Sequence, residues 1–262
     1  MLKKKIKKIN ILKNKKSPIV CISSYTAPIV KIADKFADLI LVGDSVGPVL
    51  YGHKSTREVT IDIIIEHAKA VVKNTKDAII VIDMPYGTYE TNKKVAYDNS
   101  IRILSESGAD AVKLEGGEQI FDTVDYLVRK NINVMGHIGM LPQQSNGKYY
   151  IYGKTKKEQK QIFRDLKSLE KAGVFSVVIE CTVYSLVDKL LKKSAVPLIG
   201  IGATSGCDGQ ILVAEDLLGL TDFESKFLKK YVNLKEIISN AFKKFSDDVK
   251  KRKYPIKKNY YK

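Results

Sequence analysis

Charged and polar residues stand where short aliphatic runs of this chain end, a place where burying charge is costly. Asp44 and Ser45 follow or overlap LILVG at 39–43, and Asp83 closes AIIVID at 78–83. Lys113 and Glu115 lie within AVKLEGG, His137 within INVMGHI, and Glu180 ends SVVIE. A buried carboxylate is tolerated when it is paired or binds metal. One such residue can be structural, but five successive runs ending this way are hard to explain by packing.

Asp44, Asp83 and Glu115 form a hard, all-oxygen set suited to Mg2+, an ion that keeps water and substrate oxygens among its ligands. No Cys or His accompanies them to suggest zinc. The strand period of two puts Lys113 and Glu115 on one face of their run and Val112 and Leu114 on the other. That pair fits either a buried ion pair or two groups of a site. Glu180 ends an otherwise apolar run, where burial is expected to raise its pKa and suit it to act as a base. His137 reads either as a core histidine or as a site group. His53, in a loop-like stretch, and His67, in a helical pattern, read as structural or solvated. Gly43, Gly116 and Gly117 beside the acids are expected to leave room for a ligand.

Such residues need a scaffold that brings strand ends together. Short β-branched runs recur at 18–24, 39–43, 78–83, 111–115, 132–138, 174–181, 196–202 and 209–213. Amphipathic stretches at 61–73, 93–107, 118–130 and 156–172 lie between them. Strands alternating with helices argue for βαβ units and a parallel sheet. The glycines of SGAD and KAGVF read as helix ends just before the next strand. Eight candidate strands predict an α/β fold, a (β/α)8 TIM barrel, whose C-terminal strand ends meet over one mouth. A doubly wound open sheet is the alternative, but no GxGxxG follows an early strand. The chain is read as one barrel domain over 1–262, with a short amphipathic N-terminal helix carrying Ile6, Ile9, Leu12 and Lys13 and a Lys-rich helical tail. The glycines of GIGATSG at 200–206 are compatible with a phosphate cradle.

Composition narrows the class further. The formal net charge is +16, yet the basic residues are nearly all Lys, scattered over helical stretches and the termini. Nucleic-acid readers favour Arg forks and clustered stripes, so a basic nucleic-acid-binding protein is the weaker, non-enzymatic alternative. Apolar runs fall well short of the roughly 18 residues a membrane span needs. The basic start is followed by no apolar signal core, so no export is expected. Cys21, Cys181 and Cys207 show no metal-like spacing and read as free buried thiols in a reducing cytoplasm.

Taken together and in order, LVGDSVG, DMPYGTY, AVKLEGG, MGHIGMLPQ, VIECT and IGIGA…CDGQILV closely resemble the ketopantoate (3-methyl-2-oxobutanoate) hydroxymethyltransferase family over about residues 17–220. The resemblance implies a cytoplasmic barrel enzyme of pantothenate synthesis, assembled as a homodecamer. Its substrates would be small molecules, with no nucleic-acid or membrane partner. It would transfer a one-carbon unit from 5,10-methylenetetrahydrofolate to 3-methyl-2-oxobutanoate, giving 2-dehydropantoate through a Mg2+-stabilised enolate. Carried over by motif, Asp44 and Asp83 fall on metal ligands that also touch substrate, and Glu115 on the third ligand. Ser45 and Lys113 fall on contacts to the 2-oxo acid, Glu180 on the proton acceptor, and His137 on an active-site histidine. Three positions depart from the family pattern: Thr26 in SYTAP, Thr204 in IGAT and Glu215 in LVAED. The nearest rival enzyme class is the isocitrate lyase and phosphoenolpyruvate mutase type, which normally carries a Cys-bearing lid motif such as KKCGH, absent here.

Overall fold

In the computed structural model, residues 17–145 and 149–261 are described. The expected helix on Ile6, Ile9, Leu12 and Lys13 lies outside them. Strands and helices alternate as β1 (Ile19–Ser23), α1 (Ala27–Ala33), β2 (Leu39–Val42), α2 (Ile61–Lys73), β3 (Ile79–Asp83), α3 (Lys93–Ser107) and β4 (Ala111–Glu115). They continue as α4 (Phe121–Arg129), β5 (Val134–Gly139), α5 (Lys156–Ala172), β6 (Ser176–Glu180), α6 (Tyr184–Leu191), β7 (Leu198–Ile201) and β8 (Gly209–Val213). Each strand pairs in parallel with the next, and β1 pairs with β8, so the sheet closes into an eight-stranded barrel. This is the (β/α)8 architecture expected from the alternation. The alternation fails at one place. Between β7 and β8 only a seven-residue connection runs, 202–208, too short for the usual crossover helix.

Local chemistry sets the helix limits. Thr60 and Thr155 cap α2 and α5 by accepting from Ile63 N and Glu158 N, and Glu158 returns a bond to Thr155 N. Gly108 and Gly173 end α3 and α5 in the left-handed conformation, at φ 78° and 89°.

Burial divides the strand residues by parity. Val112, Leu114, Val177 and Ile179 belong to the core between barrel and helices. Ile79, Val81, Ala111, Met135 and Val178 belong to a second apolar cluster inside the barrel. Because side chains alternate along a strand, the next inward positions after that cluster are fixed. They are Asp83 after Val81, Lys113 and Glu115 after Ala111, His137 after Met135, and Glu180 after Val178. The barrel interior therefore changes from aliphatic to ionic within two residues on four strands.

The structure divides into two compact units, one ending at Ala214 and containing the barrel, and one from Glu215 onward. In the second, α7 (Ala214–Leu217) starts at the boundary, and the 17-residue α8 (Leu234–Lys250) is capped by Asn233. No residue of α8 is buried. No helix among the described residues is long and apolar enough to cross a membrane.

Candidate active site

The residues singled out at the strand ends come together. Asp44, Asp83, Lys113, Glu115, His137 and Glu180 are all buried, none more than 6% exposed. Strand register makes the first contacts. Asp83 lies beside Lys113 across the β3–β4 ladder, and Lys113 Nζ stands 2.6 Å from Asp83 Oδ1. Glu115 lies beside His137 across β4–β5, with Glu115 Oε1 3.6 Å from His137 Nδ1. His137 Nε2 in turn stands 3.2 Å from Glu180 Oε2, so the imidazole lies between two carboxylates.

Lys113 therefore closes on Asp83 of the neighbouring strand as well as sharing a face with Glu115. Nor is Glu180 alone among apolar side chains, as the SVVIE run suggested: His137 is its charge partner. Directly after Glu180, Cys181 adopts φ 44°, a left-handed value that costs a non-glycine residue about 1–3 kcal/mol. Its amide donates to Ile201 O at 2.9 Å, and its carbonyl accepts from Tyr152 N at 2.8 Å. The three cysteines are buried and free, and burial pushes the Cys181 and Cys207 thiols up to about 12 and about 11.

The β2 end is organised by hydroxyls and an amide. Asp44 N donates to Asp83 Oδ2 at 3.1 Å, and Ser45 Oγ lies 2.6 Å from the Tyr25 hydroxyl. Tyr25 is held from behind by His67, whose Nδ1 is 2.9 Å from the Tyr25 carbonyl and whose Nε2 is 3.0 Å from the Tyr51 hydroxyl. That fits the structural reading of His67. His53 is in ring contact with Tyr51, with centroids 5.5 Å apart.

Each glycine beside the acids lies against protein atoms that a side chain would meet. A Cβ at Gly43 would stand 2.9 Å from Ser45 Oγ and 3.3 Å from Asp83 Oδ2. A Cβ at Gly117 would stand 2.2 Å from Asp165 Cβ, the space being filled by α5. Gly116, at φ 129°, is already closed over by Gln119 and Ile120.

Gln143 and Tyr89 went unassigned at the sequence level, although Gln143 ends the MGHIGMLPQ motif. Gln143 Nε2 donates to Asp44 Oδ2 at 2.8 Å and to Met84 O at 2.9 Å, and its backbone N donates to Glu115 Oε2 at 3.0 Å. The Tyr89 hydroxyl, 2.7 Å from Gln143 Oε1, also receives Glu115 N at 3.2 Å.

Electrostatics follow from four buried acids facing two cationic groups. Burial, then the negative charges of Asp83 and Glu115, hold the Asp44 carboxyl well above the ordinary range. Burial acts to lower Lys113, but Asp83, Glu115 and Asp44 more than offset it, so the ammonium is held above its ordinary value. Burial and Lys113 likewise oppose protonation of His137, yet Glu115 and Glu180 win and raise it to about 9.

The donor set suits a hard divalent cation. Three buried carboxylates, one of them made reluctant to ionise by the other two, are what such an ion relieves. As arranged, however, no three His, Cys, Asp or Glu groups among the described residues close on one point as ligands. Asp44 and Glu115 are instead engaged by Gln143, and Asp83 by Lys113.

A pH effect on stability follows from His137. Its pKa is raised from 6.5 to about 9, so its contribution is fully present below about pH 6.5 and lost as pH rises through about 9. In metal-free protein, denaturant midpoints are expected to fall across that window. His137→Gln should flatten the slope; an unchanged slope in the variant would place the titrating group elsewhere.

Comparison with known proteins adds a family. The family model described as ketopantoate hydroxymethyltransferase matches residues 3–257. That extends the likeness into the Lys-rich tail, beyond the 17–220 carried by the motifs. A 3-methyl-2-oxobutanoate hydroxymethyltransferase of Rhizobium etli is 44% identical over 248 residues, 94% of this chain and 91% of the relative. One of Pelagibacter ubique is 44% identical over 254 residues, covering 97% and 98%. Among solved structures, phosphonopyruvate hydrolase in complex with oxalate and Mg++ matches with TM-score 0.62 at 11% identity, over 98% of this chain and 92% of that one. A 2,3-dimethylmalate lyase of the PEP mutase/isocitrate lyase superfamily matches with TM-score 0.61 at 13% identity, over 98% and 90%. At these identities the structural likeness speaks for the barrel fold alone.

Proposed function

Because the chain belongs to the ketopantoate hydroxymethyltransferase family, a family of transferase enzymes, we propose that it transfers the one-carbon unit of 5,10-methylenetetrahydrofolate to 3-methyl-2-oxobutanoate, forming 2-dehydropantoate with the aid of Mg2+. The observation that carries this reading is the convergence of Asp44, Asp83, Lys113, Glu115, His137 and Glu180 in one buried cluster at the barrel mouth.

In this reading Asp44, Asp83 and Glu115 hold the cation, and Asp44 and Asp83 also face the substrate. Bound there, a divalent cation supplies Lewis-acid stabilisation for the negative charge that develops on the ketone oxygen. Lys113 places a permanent positive charge on the same side, and Ser45 offers its hydroxyl to the 2-oxo acid. Glu180 takes the proton from C3, next to the ketone, leaving the electron pair in the enolate of the substrate. His137, beside Glu180, balances the base's negative charge before transfer. The enolate carbon then bonds to the folate-borne methylene carbon as one of that carbon's two bonds to folate nitrogen breaks. Water supplies the hydroxyl oxygen as the second carbon–nitrogen bond breaks, its proton passes to the departing nitrogen, and tetrahydrofolate leaves. The buried setting makes each of these fixed charges count for more than it would in water.

The superfamily of the 2,3-dimethylmalate lyase offers a second reading, a Mg2+-dependent enzyme cleaving or forming other carbon–carbon bonds of 2-oxo acids. Identity favours the first: 44% to the hydroxymethyltransferases against 13% to the lyase. The test is formation of 2-dehydropantoate from both substrates, with and without Mg2+. Product that needs both the folate and the metal is the expected result; none under any condition would overturn the proposal.

We further assign the chain to the cytoplasm, which its three free thiols suit, with small molecules rather than nucleic acid or membrane as partners. A homo-oligomer, decameric by family resemblance, is also proposed. Exposed Ile237, Phe242, Phe245 and Val249 on α8 support an interface. Light scattering that returns a monomer mass would rule it out.

A further inference from the structure

We propose that Gln143 is the positioning residue of the acidic site, tying Asp44 to Glu115 across the barrel mouth, and that Tyr89 fixes its orientation. This inference rests on the metal-binding reading given above.

Gln143 comes from the loop after β5, yet it is only 1% exposed and every polar atom of its side chain is used. Both hydrogens of Nε2 are spent, one on Asp44 Oδ2 at 2.8 Å and one on Met84 O at 2.9 Å. Its backbone N–H goes to Glu115 Oε2 at 3.0 Å. One residue thus holds an acid delivered by β2 and an acid delivered by β4.

The amide orientation is set by the network. Flipping it would turn Oε1 toward a carboxylate and a carbonyl, neither of which can donate while Asp44 is ionised. Tyr89, 1% exposed, enforces the choice from the other side. Its hydroxyl has one proton, and Gln143 Oε1 at 2.7 Å is a nearer acceptor than Glu115 O at 3.1 Å. The same hydroxyl accepts Glu115 N–H at 3.2 Å, so Tyr89 fixes both the amide and the backbone that carries Glu115.

The consequence is a division of labour among the three acids. Asp83 is placed by Lys113 and by Asp44 N, and Glu115 Oε1 faces His137, whereas Asp44 Oδ2 and Glu115 Oε2 are placed by neutral N–H donors of Gln143. Neutral donors orient a carboxylate without cancelling its charge, so the acids keep their pull on a cation while their positions are fixed. Groups that orient metal-binding side chains in this way are typically worth about 10–100-fold in metal affinity.

The test uses Gln143→Met, close in shape but without side-chain donors, and Tyr89→Phe, which removes one oxygen. Mn2+ titration of the full chain is expected to show affinity weakened by about tenfold or more in Gln143→Met. Tyr89→Phe should weaken it less, and the double variant by less than the sum of the two single losses. Crystal structures of the metal-free variants provide the second readout, with Asp44 expected in a changed rotamer in Gln143→Met while Glu115, held by the backbone N–H that the substitution keeps, stays in place. Wild-type affinity in a folded Gln143→Met, additive losses in the double variant, or an unmoved Asp44 carboxylate would each overturn the positioning role. Should Gln143→Met fail to fold, Tyr89→Phe is read alone by the same two criteria. A wild-type chain that binds no Mn2+ would instead count against the metal reading, and the carboxylate positions would still decide the role of Gln143.

Discussion

Replacing Glu180 by Gln is expected to slow exchange of the C3 proton of 3-methyl-2-oxobutanoate by about 10^2- to 10^4-fold, the range over which a positioned general base contributes. The substitution keeps the shape of the side chain and removes its negative charge and its capacity to take a proton. Glu180 ends β6 in a buried position facing His137, so no bulk water stands ready to replace it. Its loss removes one of the two carboxylates that raise His137, yet the other, Glu115, remains 3.6 Å from the ring. Binding of the 2-oxo acid in the presence of Mg2+ should change little, because Asp44, Ser45, Asp83 and Lys113 are untouched. Proton NMR in D2O without folate isolates the step, since exchange then reports enolisation and not carbon–carbon bond formation. Exchange at the wild-type rate would assign the base to another residue.

Much of this arrangement was legible in the sequence because a strand has a period of two. Once Val81 and Ala111 face the barrel interior, Asp83, Lys113 and Glu115 must face it too. The helices α2, α3 and α5 coincide with their amphipathic stretches because polar caps and left-handed glycines mark their ends. What stayed hidden were relations between distant segments. Gln143 and Asp44 lie 99 residues apart, and a glutamine in a loop carries no pattern that names its partner. Lys113 looked toward Glu115 on its own strand, but its 2.6 Å contact is Asp83, a matter of register between strands. The glycines misled for the same reason: the space at Gly117 is filled by Asp165, supplied by α5. The short connection between β7 and β8 was legible too, because the runs at 196–202 and 209–213 leave no length for a crossover helix.

Lys113→Met should be the most damaging single change to the fold, destabilising it by about 3–5 kcal/mol, the usual cost of leaving a buried charge without its partner. Lys113 is 4% exposed, and its ammonium is held by Asp83 first, then by Glu115 and Asp44. Methionine fills a similar volume, so the loss is electrostatic and leaves no large cavity. The sign of the pH dependence follows. Asp44 already has its carboxyl pKa raised by burial and by the other acids, with Lys113 among the influences that lower it. Without Lys113 that carboxyl rises further. A group whose folded pKa is raised favours folding at low pH and loses that contribution as pH climbs through the folded value. The variant should therefore be most stable in acid and weaken toward neutrality, whereas the wild type keeps the Lys113 contribution to alkaline pH, its folded pKa being raised. Adding Asp83→Asn removes the carboxylate left behind and should recover more than half of the lost stability, although not the activity. Urea denaturation of the two single variants and the double variant at several pH values measures the coupling. A Lys113→Met protein as stable as wild type, or a double variant with no recovery, would show that this ion pair does not hold the barrel mouth together.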